Sequence, residues 1–296
     1  MNKFTQKLSE GIYFIQGANK ARYPYSNSIL IGNYLIDTGV SNKLLRSLKK
    51  EFQINNVILS HWHEDHISGN HLLKDINFFC HEKDKCIIEN IEEMNYYYDI
   101  KDKEIGTDFL KLLEYLRVKN TKINNVINDT EIFKIGDMLR LKVIHTPGHT
   151  AGHCAFYEIN SKIGFFADID LTRFPYYGNI DASLIEFSNS IDKLINIKFD
   201  KVVTGHRGII EGDNQVKEEL RKFKTIIEKR EQLILEQLSE KKIIKLADLM
   251  GKNLIYKKYL FEEFEIIAEL IMIEKHIEKL LHDNLIIEEK NGYLLI

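Results

Sequence analysis

Val57-Ile58-Leu59-Ser60 is an apolar run that ends abruptly in His61-Trp62-His63-Glu64-Asp65-His66. Its shortness and β-branched content fit a buried strand rather than a helix. The polar cluster at its end constrains the chain more sharply, because His61, His63, Asp65 and His66 would carry a heavy desolvation cost if buried without a partner. A metal ion supplies one. In an extended segment His61 and His63 stand at i and i+2, project to one side and can grip a single ion. Asp65 and His66 come next as the backbone turns into a helix expected over 66–73, so they can face a neighbouring ion.

The arrangement recurs along the chain. Val143-Ile144-His145-Thr146-Pro147-Gly148 delivers His149, Gly164-Phe165-Phe166-Ala167 delivers Asp168, and Val202-Val203-Thr204-Gly205 delivers His206. A glycine or small residue beside each ligand lets the backbone approach an ion closely. Taken alone, His149 or His206 would read as a loop or core histidine; together with the first cluster they make seven nitrogen or carboxylate donors and no cysteine. That set suits two adjacent divalent ions, with zinc first and manganese or iron as alternatives. His153 reads as a residue that orients a ligand rather than as an eighth donor. His71, His81, His145, His276 and His282 have no ligand context, and Cys154 reads as a buried strand residue.

From Gly11 to about residue 213 short β-branched runs alternate with helical patterns, the mark of sheets covered by helices. Strands are expected over 12–15, 28–31, 34–37, 57–60, 77–80, 139–145, 155–158, 163–166 and 201–204, and helices over 43–50 and 184–195. Residues 81–125 are charged and tyrosine-rich, and read as a helical insertion of two loosely connected helices. From 214 onward the pattern is helical, with apolar residues from Val216 to Leu238 near one face. Helices near 244–250 and 262–281 and a hairpin about Asn291-Gly292 complete a small winged-helix-like tail. The division is thus 1–213 and 214–296.

With 44% apolar and 29% charged residues and 3 prolines in 296, the chain has the composition of a globular protein. A net charge of -3 supplies no long-range attraction for phosphates, so nucleic acid is disfavoured as the principal partner. Cys80, Cys86 and Cys154 lack CxxC spacing, which fits a reducing cytoplasm. The start, through a Ser9-Glu10-Gly11 turn, lacks a signal core, and no run approaches the roughly 20 apolar residues of a membrane span. The tail is read as a lid or as a homodimerisation arm.

Through His61-Trp62-His63-Glu64-Asp65-His66, Thr146-Pro147-Gly148-His149-Thr150-Ala151-Gly152-His153, Phe166-Ala167-Asp168 and Gly205-His206, the sequence resembles the metallo-β-lactamase fold superfamily over about residues 10–212. Asn27 to Ile31 and Leu35 to Gly39 match its opening strands, where Asp37 is expected to be structural. The resemblance implies an αββα sandwich with the metal site along one sheet edge. One ion would take His61, His63 and His149, the other Asp65, His66 and His206, with Asp168 bridging and Asp170 as an alternative bridge. A hydroxide shared by the ions would attack a carbonyl or phosphoryl centre, and Asp65 would orient it and accept its proton.

Departures narrow the family. His63 stands where flavodiiron oxygen reductases carry glutamate, and His66 with Asp168 speaks against the cysteine-ligand β-lactamases. The chain is too short for the large insert of the nucleic-acid end-processing branch. What remains resembles glyoxalase-II-like hydrolases with a winged-helix-like tail, whose relatives include thioesterases, lactonases and a single-strand endoribonuclease. A small-molecule thioester or lactone is preferred, with RNA or another phosphodiester as the alternative and a metal-binding DNA regulator as the nonenzymatic one. Arg173, Tyr176, Tyr177 and Arg207 are the candidate substrate contacts, and Tyr96 to Tyr98 could wall a pocket.

Overall fold

The computed structural model describes residues 3–238, 242–290 and 292–296. Seven strands form the first sheet in sequence order: β1 (Thr5–Ser9), β2 (Ile12–Ile15), β3 (Ser28–Ile31), β4 (Tyr34–Ile36), β5 (Asn56–Ile58), β6 (Asn77–His81) and β7 (Asn125–Ile127). Pairing is antiparallel through β4 and parallel from β4 to β7. The second sheet runs β13-β12-β11-β10-β9-β8, from β8 (Ile132–Ile135), β9 (Leu139–His145), β10 (Cys154–Glu158), β11 (Ile163–Phe165), β12 (Lys201–Val203) and β13 (Ile209–Glu211). The two-residue period of a strand sorts its side chains between layers. Ile29, Ile31, Ile36 and Ile58 of the first sheet meet Val143, Phe156, Phe165 and Val203 of the second in the inner core.

The opposite faces are covered by helices. Leu30, Leu35 and Val57 pack with Leu44, Leu45 and Leu48 of α2 (Asn42–Glu51), which follows a single left-handed turn, α1 (Ala18–Ala21). Ile144, Ala155 and Val202 of the second sheet pack with α7 (Leu184–Ile195), α8 (Asp213–Leu235) and α9 (Glu262–His282). The result is the expected αββα sandwich. Leu184, Phe187, Ile191 and Leu194 lie at helical spacing on the buried face of α7. Its Ser183 cap accepts from the Glu186 N–H, a contact worth about 1 kcal/mol.

Three local expectations change. The segment 66–73 is not one helix: α3 covers Glu64–Ile67 and a 3₁₀ turn covers Asn70–Leu72. Gly69 between them sits where an added Cβ would lie 2.4 Å from the Thr38 carbonyl, so this stretch is pressed against the strand-end loop. The insertion is an ordered crossover between the parallel strands β6 and β7, made by α4 (Glu82–Glu89), α5 (Met94–Tyr97) and α6 (Glu104–Leu116). In the tail, Ile244 pairs with Tyr293 as an extended residue, which leaves only a 3₁₀ turn at Leu246–Leu249 in place of a helix over 244–250. A hairpin of β14 (Ile286–Glu289) and β15 (Gly292–Leu295) closes the chain; Asn291 of the expected turn lies outside the described residues. Among the described residues no helix is long and apolar enough to cross a membrane.

Candidate metal centre

β4, β5, β9, β11 and β12 all end at one edge of the sandwich, and the residues just beyond their ends converge there. The two sheets are stitched at this edge: Asn27 N–H donates to the Gly205 carbonyl at 2.7 Å, and Cys154 N–H to the Ser60 carbonyl at 2.9 Å. Gly148, at φ +132°, lies against Phe187 of α7, where an added Cβ would come within 2.3 Å of backbone. Ser183 N–H donates to the Gly148 carbonyl at 2.9 Å and Ser190 Oγ to the Pro147 carbonyl at 2.7 Å, so α7 fixes the loop that carries His149. An added Cβ on Gly205 would stand 2.6 Å from Asp168 Oδ1, and only a glycine lets that strand end pass the carboxylate.

Two groups of donor atoms result, each with its atoms within 4.8 Å of one another: His61, His63, His149 and Asp168; and Asp65, His66 and His206. All seven side chains singled out in the sequence are brought together. Asp168 spans both groups. Its Oδ2 lies 3.3 Å from His149 Nε2 and 3.8 Å from His61 Nε2, while Oδ1 lies 2.9 Å from His66 Nε2 and 3.5 Å from His206 Nε2. Asp65 Oδ2 is 3.3 Å from His206 Nε2. Asp170 is held apart, with Oδ1 accepting from Thr172 N–H, and burial together with the charge of Asp168 pushes its carboxyl up to about 6.

Protein acceptors fix the ring orientations. His66 Nδ1–H donates to Asp37 Oδ2 at 2.7 Å, His149 Nδ1–H to the Tyr176 carbonyl at 2.8 Å, and His206 Nδ1–H to the Ala21 carbonyl at 2.7 Å. The Ser60 hydroxyl donates to Asp37 Oδ2 and therefore accepts from His61 Nδ1–H at 2.9 Å. Each of these imidazoles spends one nitrogen on the protein and turns the other toward the shared centre, as metal-binding histidines do. Asp37 is structural, as expected, and its φ of 63° at the end of β4 aims its carboxylate at both Ser60 and His66.

The chemistry of this donor set fits a cation. His61 and His149 have committed their Nδ1 protons, yet their Nε2 atoms face each other at 3.3 Å, and His149 Nε2 lies 2.9 Å from His63 Nδ1. The Nε2 lone pairs of His61 and His149 repel at 3.3 Å unless a positive ion lies between them, whereas His63 Nδ1 can itself carry the hydrogen of its contact with His149. Burial and the neighbouring His66 hold His61 well below the usual imidazole range, and burial with His149 does the same to His63. The other group behaves differently. Burial opposes charge on His66 and His206, but Asp168 and its neighbouring carboxylates outweigh it, raising His66 well above its ordinary value and His206 to about 10. Burial would raise Asp168, but His66 and His206 hold it well below the carboxylate range.

The remaining candidates separate clearly. His153 stands behind the centre: its Nε2 accepts from Asp168 N–H at 3.2 Å and its Nδ1 meets Thr146. Burial and His149 push it down to about 3, which keeps it neutral. Tyr176 borders the site, with its ring 6.0 Å from those of His63 and His149. Tyr177 does not; it is fully buried and its hydroxyl meets His276 at 2.8 Å, because neighbours in an extended segment face opposite sides. Arg207 is turned away as well, with its guanidinium on the Leu171 carbonyl and Glu219. Arg173 is exposed. Tyr98, from the crossover, stacks on His63 at 5.7 Å and donates to Glu64 Oε2 at 2.9 Å, while Tyr23 donates to Oε1 at 2.8 Å. Burial and Asp65 push Glu64 up to about 7. No motif marks this clamp, since its two tyrosines lie far apart along the chain.

A two-sheet sandwich with helices outside and a His/Asp cluster at one edge defines the class. The chain belongs to the metallo-beta-lactamase superfamily, a superfamily of metallohydrolases, whose family model matches residues 22–206. It is similar to a beta-lactamase-like protein 2 homolog of Caenorhabditis elegans, 24% identical over 261 residues that cover 83% of this chain and 77% of that one. It is also similar to a hydroxyacylglutathione hydrolase of Rhizobium etli, 28% identical over 120 residues that cover 40% of this chain and 35% of the relative. Two solved structures share the fold. One is a metallo-beta-lactamase family protein from Thermus thermophilus, with a TM-score of 0.67, 19% identity, and 96% and 93% of the two chains covered. The other is a beta-lactamase domain protein from Burkholderia ambifaria, with a TM-score of 0.71, 14% identity, and 99% and 93% covered.

Proposed function

We propose that the protein is a dinuclear metal-dependent hydrolase of a carbonyl ester, a thioester or a lactone. The observation that carries this reading is the bridging place of Asp168, whose two oxygens reach both donor groups. His61, His63 and His149 would hold one ion and Asp65, His66 and His206 the other, with zinc first among the candidates. Two such ions, when bound, supply Lewis acidity toward a substrate oxygen and lower the pKa of a water toward neutrality. Asp65 is the residue we assign as proton acceptor from the attacking water and donor to the leaving group. His153 holds the Asp168 backbone in place, and Ser60, Asp37, Tyr176 and Ala21 keep the imidazoles from rotating.

The surroundings support a carbonyl substrate over a phosphodiester. A nucleic-acid strand requires cations along its backbone. Here Arg207 is engaged by Glu219, and the Tyr98 and Tyr176 rings lie beside His63 and His149, with Tyr98 and Tyr23 both donating to Glu64. The hydroxyacylglutathione hydrolases among the similar proteins point to the same chemistry. The free cysteines support a cytoplasmic location, and the helices and hairpin beyond residue 214 support the winged-helix-like reading of the tail. The test is a screen of metal-loaded protein against thioesters, lactones and short RNAs. Turnover of a thioester or lactone is expected, and cleavage confined to RNA would overturn the assignment.

A further inference from the structure

The tail supplies none of the seven donors, yet two of its buried polar side chains reach the loop behind His149. Arg230 of α8 is 5% exposed. Its Nη1 donates to the Pro175 carbonyl at 2.7 Å and to the Tyr177 hydroxyl at 3.1 Å, and its guanidinium lies over the Phe174 ring at 4.4 Å. From α9, the fully buried His276 takes the Tyr177 hydroxyl at 2.8 Å. Pro175 and Tyr177 are therefore pinned from the tail. Between them stands Tyr176, whose carbonyl accepts the Nδ1 proton of His149. Because a peptide unit is planar, that carbonyl turns only through the soft torsions on either side of it, and holding Pro175 and Tyr177 in place restricts the backbone that would have to adjust. Burying a guanidinium is costly, and a methionine would fill similar space with no charge to desolvate.

We propose that Arg230 is a positioning residue of the metal centre. By fixing Pro175 and Tyr177 it keeps the Tyr176 carbonyl on His149 Nδ1, so the C-terminal helices set the orientation of a ligand they do not touch. The inference rests on His149 being a ligand. Removing a partner that orients a metal-binding histidine costs about 10–100-fold in metal affinity.

The test uses the full-length chain. Zinc affinity is measured by competition with a chromogenic chelator, the visible spectrum of the cobalt-loaded protein is recorded, and thermal unfolding of the metal-free protein is followed. Arg230→Met is expected to weaken zinc binding by about 10–100-fold and to shift the cobalt spectrum. Arg230→Lys, which keeps a donor for the Pro175 carbonyl, is expected to recover part of the affinity. Ile234→Ala, a core truncation on the same helix, is expected to lower the unfolding temperature and leave affinity and spectrum as in the parent. Should Arg230→Met not fold, Tyr177→Phe decides, because it keeps the ring and removes only the hydroxyl link. Parental affinity and spectrum in the folded Arg230 or Tyr177 variant, or an equal loss in Ile234→Ala, would overturn the proposal. His149→Ala is the reference: if it binds zinc as tightly as the parent, the ligand reading fails instead.

Discussion

The two donor groups are built at the same sheet edge from the same kinds of loop, yet their internal contacts differ. Around His61, His63 and His149 nitrogen faces nitrogen at 2.9 and 3.3 Å, with Asp168 Oδ2 also 3.3 Å from His149 Nε2. Around Asp65, His66 and His206 nitrogen faces carboxylate, with His66 on Asp168 at 2.9 Å and His206 on Asp65 at 3.3 Å. The His61–His149 contact pairs two nitrogens whose hydrogens are committed elsewhere, and burial disfavours a further proton on His61, so a cation relieves it; a nitrogen–carboxylate contact is satisfied by a proton or by a cation. The halves of a dinuclear centre therefore need not be equivalent. On the proposed assignment the carboxylate-rich half would exchange protons for its ion, whereas the histidine-rich half, with His61 and His63 held neutral, would release fewer.

Removing what the halves share should have the largest effect. Asp168→Ala is expected to reduce turnover by about 100-fold or more, with the fold retained by circular dichroism; a parental rate would show that the halves work without a common carboxylate. Next, His61→Ala and His206→Ala are expected to differ. By elemental analysis, the first should cost the more tightly held ion and the second only the weaker one. Equal losses would erase the distinction.

A pH series probes the same contrast. His206 is raised to about 10 and His66 is raised too, so both bind protons near neutrality and an ion must displace them. The affinity of the weaker site is therefore expected to fall as pH drops through the neutral range, by about tenfold per pH unit for each proton displaced. His61 and His63 are depressed and already neutral there, so the tighter site should respond little. Calorimetric titration at several pH values checks this, and parallel pH slopes would contradict it. The smallest expected effect is that of His153→Ala, which should weaken metal binding less than His149→Ala because its hydrogen bonds go to the Asp168 backbone and Thr146 and it packs against the His61 and His149 rings without orienting them through a hydrogen bond.

The sandwich was largely legible because a strand covered on both faces reads as an unbroken apolar run, as in Ile29-Leu30-Ile31. Strands β1, β7, β8 and β13 were not, since exposed Gln6, Asn125, Lys134 and Glu211 break up their apolar residues. The ionisable side chains of the site announce themselves, for they stand just beyond apolar strands. Their supports do not. The carbonyls of Ala21 and Tyr176 hold His206 and His149, and a backbone carbonyl leaves no mark on the residue that bears it. Tyr177 drew attention by its closeness in sequence to Asp168, but a step of one residue along an extended loop carries it into the core.

A crystal structure of the zinc-loaded protein, with an anomalous difference map at the zinc edge, puts the centre itself to the test. Two peaks about 3.5–4 Å apart are expected, one among His61, His63 and His149 and the other among Asp65, His66 and His206, both in contact with Asp168. A map from fully loaded protein without a peak between these side chains would contradict a dinuclear centre at this edge.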